Sequence, residues 1–310
     1  MKLSEIIWLV ASGALWFDGL GWWWDRLFIQ LGLMEPASLA TVRVIKTLTL
    51  PPRKGNLRMW WPLGCVRFIH SNWKDRPAWQ RWLLSFIPFG AVGVNNAVGL
   101  TNKGFDWWVE KVWPKIENRK DLLLIISIFG TPEELVEMAR RINQLADPNR
   151  VIVGIQVNGA CPNSGEDLAR NADAVIESCL RVAKVSRLPI SLSVSVAHDI
   201  EKIVAGTRDF VQLYTINSVP WTFIFGELKS PLARLKNGGV SGKVVQDITW
   251  KLAEKLEQLG VAVAWPSIWE LSDLARMRER GKAKTVSFGS IFVCHPFGPD
   301  RIMKRGHQLL

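Results

Sequence analysis

Four asparagines and one cysteine are the residues best suited to chemistry in this chain: Asn96, Asn158, Asn163 and Asn217, with Cys161 between the middle pair. An amide both donates and accepts, so a pocket walled by several fits a flat ligand with alternating carbonyl and N–H groups. Such a wall does not suit acid–base work by carboxylates. One Asn alone is more often a turn or cap residue. The run Asn158-Gly159-Ala160-Cys161-Pro162-Asn163, with amides flanking a thiol, reads instead as a site. A thiol whose pKa falls near working pH removes a proton as a general base. Cys65, Cys179 and Cys294 read as small buried apolar residues. Lys46 brings a fixed positive charge suited to a carboxylate or an anionic reduced cofactor, the plain alternative being a lysine snorkelling at a strand end. Gly238-Gly239-Val240-Ser241-Gly242-Lys243 is read as a run of backbone N–H groups opening a helix, the geometry of a phosphate cradle. His70, His198, His295 and His307 show no ligand spacing, and no metal is expected.

These residues need a scaffold that brings them to one rim. Apolar, β-branched runs at 6–11, 43–48, 122–128, 151–157, 189–195, 210–216, 261–265 and 285–288 suit a parallel sheet buried on both faces. Amphipathic segments at 132–146, 166–185, 198–205, 241–259 and 268–280 alternate with them. The first opens on Thr131 with Pro132 and Glu134 behind it, a capping-box layout. Eight β–α units in a chain of 310 residues match an α/β TIM (β/α)8 barrel, read as a single domain over 1–310. A doubly wound sheet is disfavoured, because no GxGxxG follows an early strand. Residues 49–108, rich in Pro, Gly and Trp, read as an insertion over the barrel mouth. In a barrel the chemistry lies at the carboxyl ends of the strands. Ser12-Gly13, Lys46-Thr47, Asn158, Asn217-Ser218 and Gly289-Ser290 all fall there, the last pair at the usual phosphate position.

Composition narrows the partners. Four cysteines without a CxxC pair exclude a disulfide scaffold and a cysteine zinc site. The net charge of +11 favours anionic ligands, but no dense Lys/Arg run or nucleic-acid motif occurs, so no nucleic acid is expected. Seventeen Trp stand against one Tyr. Residues 6–17 are too short to span a bilayer, and 82–100, broken by Pro88, Gly90, Gly93 and Gly99, read as loop–strand–loop. A cytoplasmic protein without membrane contact is the expectation. The segment Gly21-Trp22-Trp23-Trp24-Asp25-Arg26-Leu27-Phe28-Ile29 is read as packing or a subunit contact, with an interfacial helix as the lesser alternative.

In this order, the motifs resemble the dihydroorotate dehydrogenase family: Ala11-Ser12-Gly13; Lys46-Thr47-Leu48-Thr49 with Gly55-Asn56; Asn96-Ala97-Val98-Gly99-Leu100-Thr101-Asn102; Asn158 to Asn163; Ile216-Asn217-Ser218; Gly238 to Gly242. The resemblance implies FMN held noncovalently, with dihydroorotate or orotate stacked on it. It implies that Ser12, Gly13, Lys46, Thr47, Asn158, Ser193, Gly239, Ser241, Gly242, Ser267, Gly289 and Ser290 contact the cofactor. Lys46, Asn96, Gly99, Leu100, Asn158, Asn163, Asn217 and Ser218 would hold the substrate. Cys161 falls at the base position, as in the soluble branch, taking the C5 proton while hydride leaves C6 for the flavin N5. The electron acceptor stays open among fumarate, NAD through a partner subunit, and a quinone, Cys161 favouring the first two. An iron–sulfur partner would be a separate chain, and a homodimer is the family-like assembly. Three positions depart from the family: Ser193 replaces its fifth-strand Lys, Trp265-Pro266-Ser267-Ile268 replaces its Gly-Gly turn, and Gln156 stands where a Glu is common. Two alternatives follow, a related flavoprotein with another substrate and a non-catalytic barrel binding a phosphorylated ligand.

Overall fold

The structure is a computed structural model describing residues 6–32, 41–58, 62–146, 151–159, 171–281 and 284–308. Among the described residues there are twelve strands: β1 (Ile7–Val10), β2 (Val42–Val44), β3 (Val66–His70), β4 (Ala91–Asn96), β5 (Leu123–Ile128), β6 (Ile152–Asn158), β7 (Ile190–Val194), β8 (Leu213–Ile216), β9 (Val219–Pro220), β10 (Gly239–Gly242), β11 (Val263–Trp265) and β12 (Thr285–Phe288). Eight close into a parallel barrel in the order β1-β12-β11-β8-β7-β6-β5-β2. This is the TIM barrel that the alternation of runs implies.

The period of two along each strand divides the work. Leu9, Val44, Ile125 and Ala264 point inward and form a small apolar layer inside the barrel. Their neighbours Trp8, Val10, Ile45 and Ile126 point outward into the main core, under the helices. The helices are α1 (Trp23–Gln30), α2 (Ala78–Leu84), α3 (Phe105–Lys111), α4 (Pro132–Ala146), α5 (Ala172–Val185) and α6 (Ile200–Thr207). They continue with α7 (Trp221–Phe225), α8 (Gln246–Gln258), α9 (Leu271–Arg280), α10 (Ile291–Cys294) and α11 (Gly298–Gln308). The start of α4 carries the reciprocal bonds its sequence implies. The Glu134 amide donates to Thr131 Oγ1 at 3.3 Å, and the Thr131 amide to Glu134 Oε2 at 2.9 Å.

A second, antiparallel sheet has the order β3-β4-β10-β9. Two sequence readings change here. Gly239–Gly242 is a strand paired to β4 and β9; Gly242 then caps a 3-10 turn at Lys243–Val245 that runs into α8 at Gln246, so the run pairs in a sheet before it meets the helix. Gly93 and Gly242 face each other, and a Cβ at Gly242 would lie 2.7 Å from the Gly93 Cα, so this pairing needs glycine. Residues 82–84 belong to α2 rather than to a loop.

Candidate functional site

A cavity of about 1100 Å³ opens at the carboxyl ends of the barrel strands and runs under the small sheet. Ser12, Gly13, Lys46, Thr47, Asn158, Ser193, Asn217, Ser218, Gly289 and Ser290 line it from the barrel. Asn96, Gly99, Leu100, Ser241 and Gly242 line it from the small sheet and its connections, and Ser267 from the loop after β11. Gly239 does not line the cavity; its carbonyl accepts from Asn96 Nδ2 at 3.2 Å. Cys161 and Asn163 lie outside the described residues.

Hydrogen bonds join the barrel side of the wall into one chain. The Ser218 amide donates to Asn217 Oδ1 at 2.7 Å, which turns Asn217 Nδ2 toward Asn158 Oδ1 at 3.4 Å. Asn158 Nδ2 then faces Thr47 Oγ1 at 3.1 Å. At the other end, Ser12 Oγ donates to the Ile45 carbonyl at 2.9 Å. A hydroxyl has one proton, so Thr47 donates to Ser12 at 3.1 Å and Ser127 donates to Thr47 at 2.9 Å. Every link thus has one sense, set by an immobile amide and an immobile carbonyl.

Lys46 is 7% exposed and sits 5.6 Å from the centre of the Phe17 ring. It is the cation at the strand ends among the described lining residues; Arg301 and Arg305 belong to the exposed side of α11. The one acidic lining residue described, Glu270, is paired to Lys243 at 2.6 Å. A buried ammonium in a low-dielectric wall attracts an anion far more strongly than a solvated one. Burial pushes the thiols the other way: Cys65 rises to about 11 and Cys294 to about 12, so neither is a base near neutrality.

The connection that presents Gly99 and Leu100 is built from two distant motifs. The Asn56 amide donates to the Val98 carbonyl at 3.0 Å, and Asn56 Nδ2 to the Ala97 carbonyl at 2.8 Å. Leu100 is held at φ 57°, a conformation that L-residues seldom adopt. Ser267 has φ 61°, so the turn after β11 keeps a glycine-like backbone without glycine. Its carbonyl accepts from Gln246 Nε2 and that of Pro266 from Trp250 Nε1, both at 2.8 Å, which ties the turn to α8. Such strain, ~1–3 kcal/mol per residue, persists where surroundings over-determine it and clusters at ligand sites.

The residues fit a flavin. The volume accommodates a tricyclic ring with a second flat ligand, the Gly13 backbone has no side chain to obstruct it, and the donors are hydroxyls, amides and one ammonium. Several lining residues were not among the expected site residues. Thr215 holds Gln156 Nε2 at 3.0 Å inside the barrel, and Trp24, Phe28, Phe89 and Phe297 form an aromatic outer end. Thr215 was findable, since it lies two residues before Asn217 and shares its strand face. Among the described residues no group of three or more His, Cys, Asp or Glu is placed to hold a metal, and no helix is long and apolar enough to cross a membrane.

A family model for dihydroorotate dehydrogenase matches residues 89–261. The chain is 31% identical over 176 residues to dihydroorotate dehydrogenase B (NAD(+)), catalytic subunit, of Bacteroides thetaiotaomicron, covering 52% of this chain and 55% of that one. It is 31% identical over 179 residues to the protein of the same name from Methanocaldococcus jannaschii, covering 53% and 56%. A third of that name, from Geobacter sp. strain M21, is 30% identical over 231 residues, covering 70% of this chain and 72% of the other. The chain thus spans about half the length of the first two relatives.

Proposed function

The chain belongs to the dihydroorotate dehydrogenase family, and from that premise we propose that it oxidises dihydroorotate to orotate with FMN as its cofactor. The carrying observation is the convergence of buried Lys46 with Asn96, Asn158, Asn217 and the Gly99–Leu100 backbone on one cavity. Lys46 binds the substrate carboxylate. The amides, with Asn163, pair with the N–H and carbonyl groups of the pyrimidine. Cys161, as thiolate, takes the proton from C5. Bound FMN supplies the two-electron acceptor. Ser12, Gly13, Thr47 and Ser193 hold its ring, and Ser241, Gly242, Ser267, Gly289 and Ser290 its phosphate side. The single sense of the Ser127–Thr47–Ser12 bonds keeps Asn158 oriented while the proton moves.

The test is the visible spectrum of the purified protein before and after anaerobic addition of dihydroorotate. The expected result is a flavin spectrum that bleaches. A flavin spectrum that persists points to another substrate. A colourless protein that takes up no FMN sinks the oxidoreductase reading in favour of a ligand-binding barrel.

A further inference from the structure

A row of indoles leads from the cavity wall to the surface. Trp22 Nε1 donates to the Gly13 carbonyl at 3.3 Å, and both residues line the cavity. The Trp22 ring lies 4.2 Å from that of Trp16 and 4.9 Å from that of Trp24, the second pair inclined by only 9°. Trp24, also on the cavity wall, meets Trp23 edge to face at 5.4 Å. Trp23 does not line the cavity and is 64% exposed. Each contact alone is ordinary aromatic packing. Together they join the cavity to water through three rings in contact.

The type of ring matters. Among neutral side chains, indole and phenol give up an electron most readily, and the benzene ring of phenylalanine does not. Trp16 meets Phe17 at 4.8 Å, so that branch ends there and the way out of the row is through Trp24 and Trp23. The single tyrosine, Tyr214, is buried in the main core and bonded to Thr207 at 2.6 Å. Trp269 lines the cavity as well, but its ring contact is with His295 at 5.4 Å. Electron exchange between rings weakens exponentially with the gap, so rings in contact pass an electron faster than an excited flavin decays.

We propose that Trp22, Trp24 and Trp23 form a path that supplies an electron to a flavin excited by blue light. This activity rests on the FMN cofactor proposed above and needs no dihydroorotate. The excited oxidised flavin takes one electron from the Trp22 indole. The vacancy moves to Trp24 and on to Trp23, where the indole N–H proton leaves to water and traps it. A thiol in solution then gives its hydrogen atom to Trp23 and restores the indole, and the sulfur radicals formed couple to a disulfide. Each electron gained by the flavin thus oxidises one thiol and releases one proton.

The test is blue-light illumination of the FMN-loaded protein under nitrogen, with dithiothreitol and without dihydroorotate. The expected parent shows flavin emission far weaker than that of free FMN, and its flavin absorbance bleaches in the light. Trp23→Phe alters no cavity wall. It should leave the emission as weak as in the parent and slow the bleaching severalfold, because the charge returns before it reaches water. Trp24→Phe should do the same, and Trp79→Phe, equally exposed but outside the row, should change neither reading. FMN content shows that each variant is folded; should Trp24→Phe not load, Trp23→Phe decides alone. Emission like that of free FMN, or bleaching that Trp23→Phe leaves unchanged, overturns the path. So does bleaching lost in Trp269→Phe and kept in Trp24→Phe. A protein that takes up no FMN overturns the cofactor reading and the path with it. Flavin that bleaches in the light through Trp23 but not with dihydroorotate in the dark leaves the path standing and removes the substrate.

Discussion

At the strand ends the cavity wall is Lys46, Thr47, Asn158 and Asn217, buried or half-buried, the last three hydrogen-bonded side chain to side chain. At the mouth it is Trp24, Phe28, Phe89 and Phe297, which offer ring faces; Phe28 meets Phe297, and Trp24 meets Trp22 and Trp23. The inner residues sit on or just beyond eight strands whose register fixes them, and each polar atom constrains the next. The outer residues sit on α1 and on connections, and shape rather than directed bonds holds them. The difference separates recognition from access. The inner end offers directed hydrogen bonds suited to a small polar ligand, whereas the outer end offers apolar surface.

Substitutions that break this contrast should do so unequally. Cys161→Ala should leave flavin bound and slow its reduction by dihydroorotate about 10²–10⁴-fold in stopped flow; unchanged reduction would remove the thiol from the mechanism. Lys46→Met keeps the length of the side chain and removes its charge. Orotate titration should show affinity lowered about 10³-fold, because the substrate carboxylate would lose a buried partner. Asp25→Asn probes how the outer end is anchored. Asp25 is buried in α1, its Oδ2 accepting from the Trp22 amide at 2.8 Å, and burial raises its pKa to about 6 from 3.8. A pKa raised on folding favours the folded state below 3.8 and costs stability as pH rises through 6. The variant should therefore be more stable than the parent at pH 7, by at most ~3 kcal/mol in urea unfolding, with the gap closing toward pH 4. A gap independent of pH would sink this account. Comparing variant with parent also cancels His198, whose pKa burial lowers to about 4 and whose stabilisation fades as pH falls from 6.5. Asn217→Ala, which cuts the end of the hydrogen-bonded chain, should weaken orotate about tenfold. Phe89→Ser, at the opposite end of the contrast, should change orotate affinity less than about twofold. A larger loss would mean that the two ends are not separate.

The barrel was legible because its strands are short, apolar on both faces and regularly separated by capped helices, as at Thr131–Glu134. The inner wall was legible for a related reason. Residues just past a parallel strand must line the mouth, so Ser12, Lys46, Asn158 and Asn217 could be placed without knowing any side-chain contact. Gly239–Gly242 was misread because a glycine-rich run ahead of a helix has the same local pattern whether it turns or pairs. Only the long-range partner β4, more than a hundred residues away, decides between them. The aromatic mouth was not legible, since Phe89 and Phe297 lie on connections with no period to reveal their direction. Cys161 and Asn163 lie outside the described residues, so their place rests on their position after β6.

The hydrogen bonds between Ser218 and Ile45 carry a further consequence. A hydroxyl row whose ends rotate freely can reverse all its donors together and greet a ligand in either of two mirror arrangements. Here one terminus is a peptide N–H and the other a peptide carbonyl, and neither can exchange its role. The wall is therefore locked in a single polarity, like a diode among switches. It presents Asn158 and Asn217 in one orientation whatever enters.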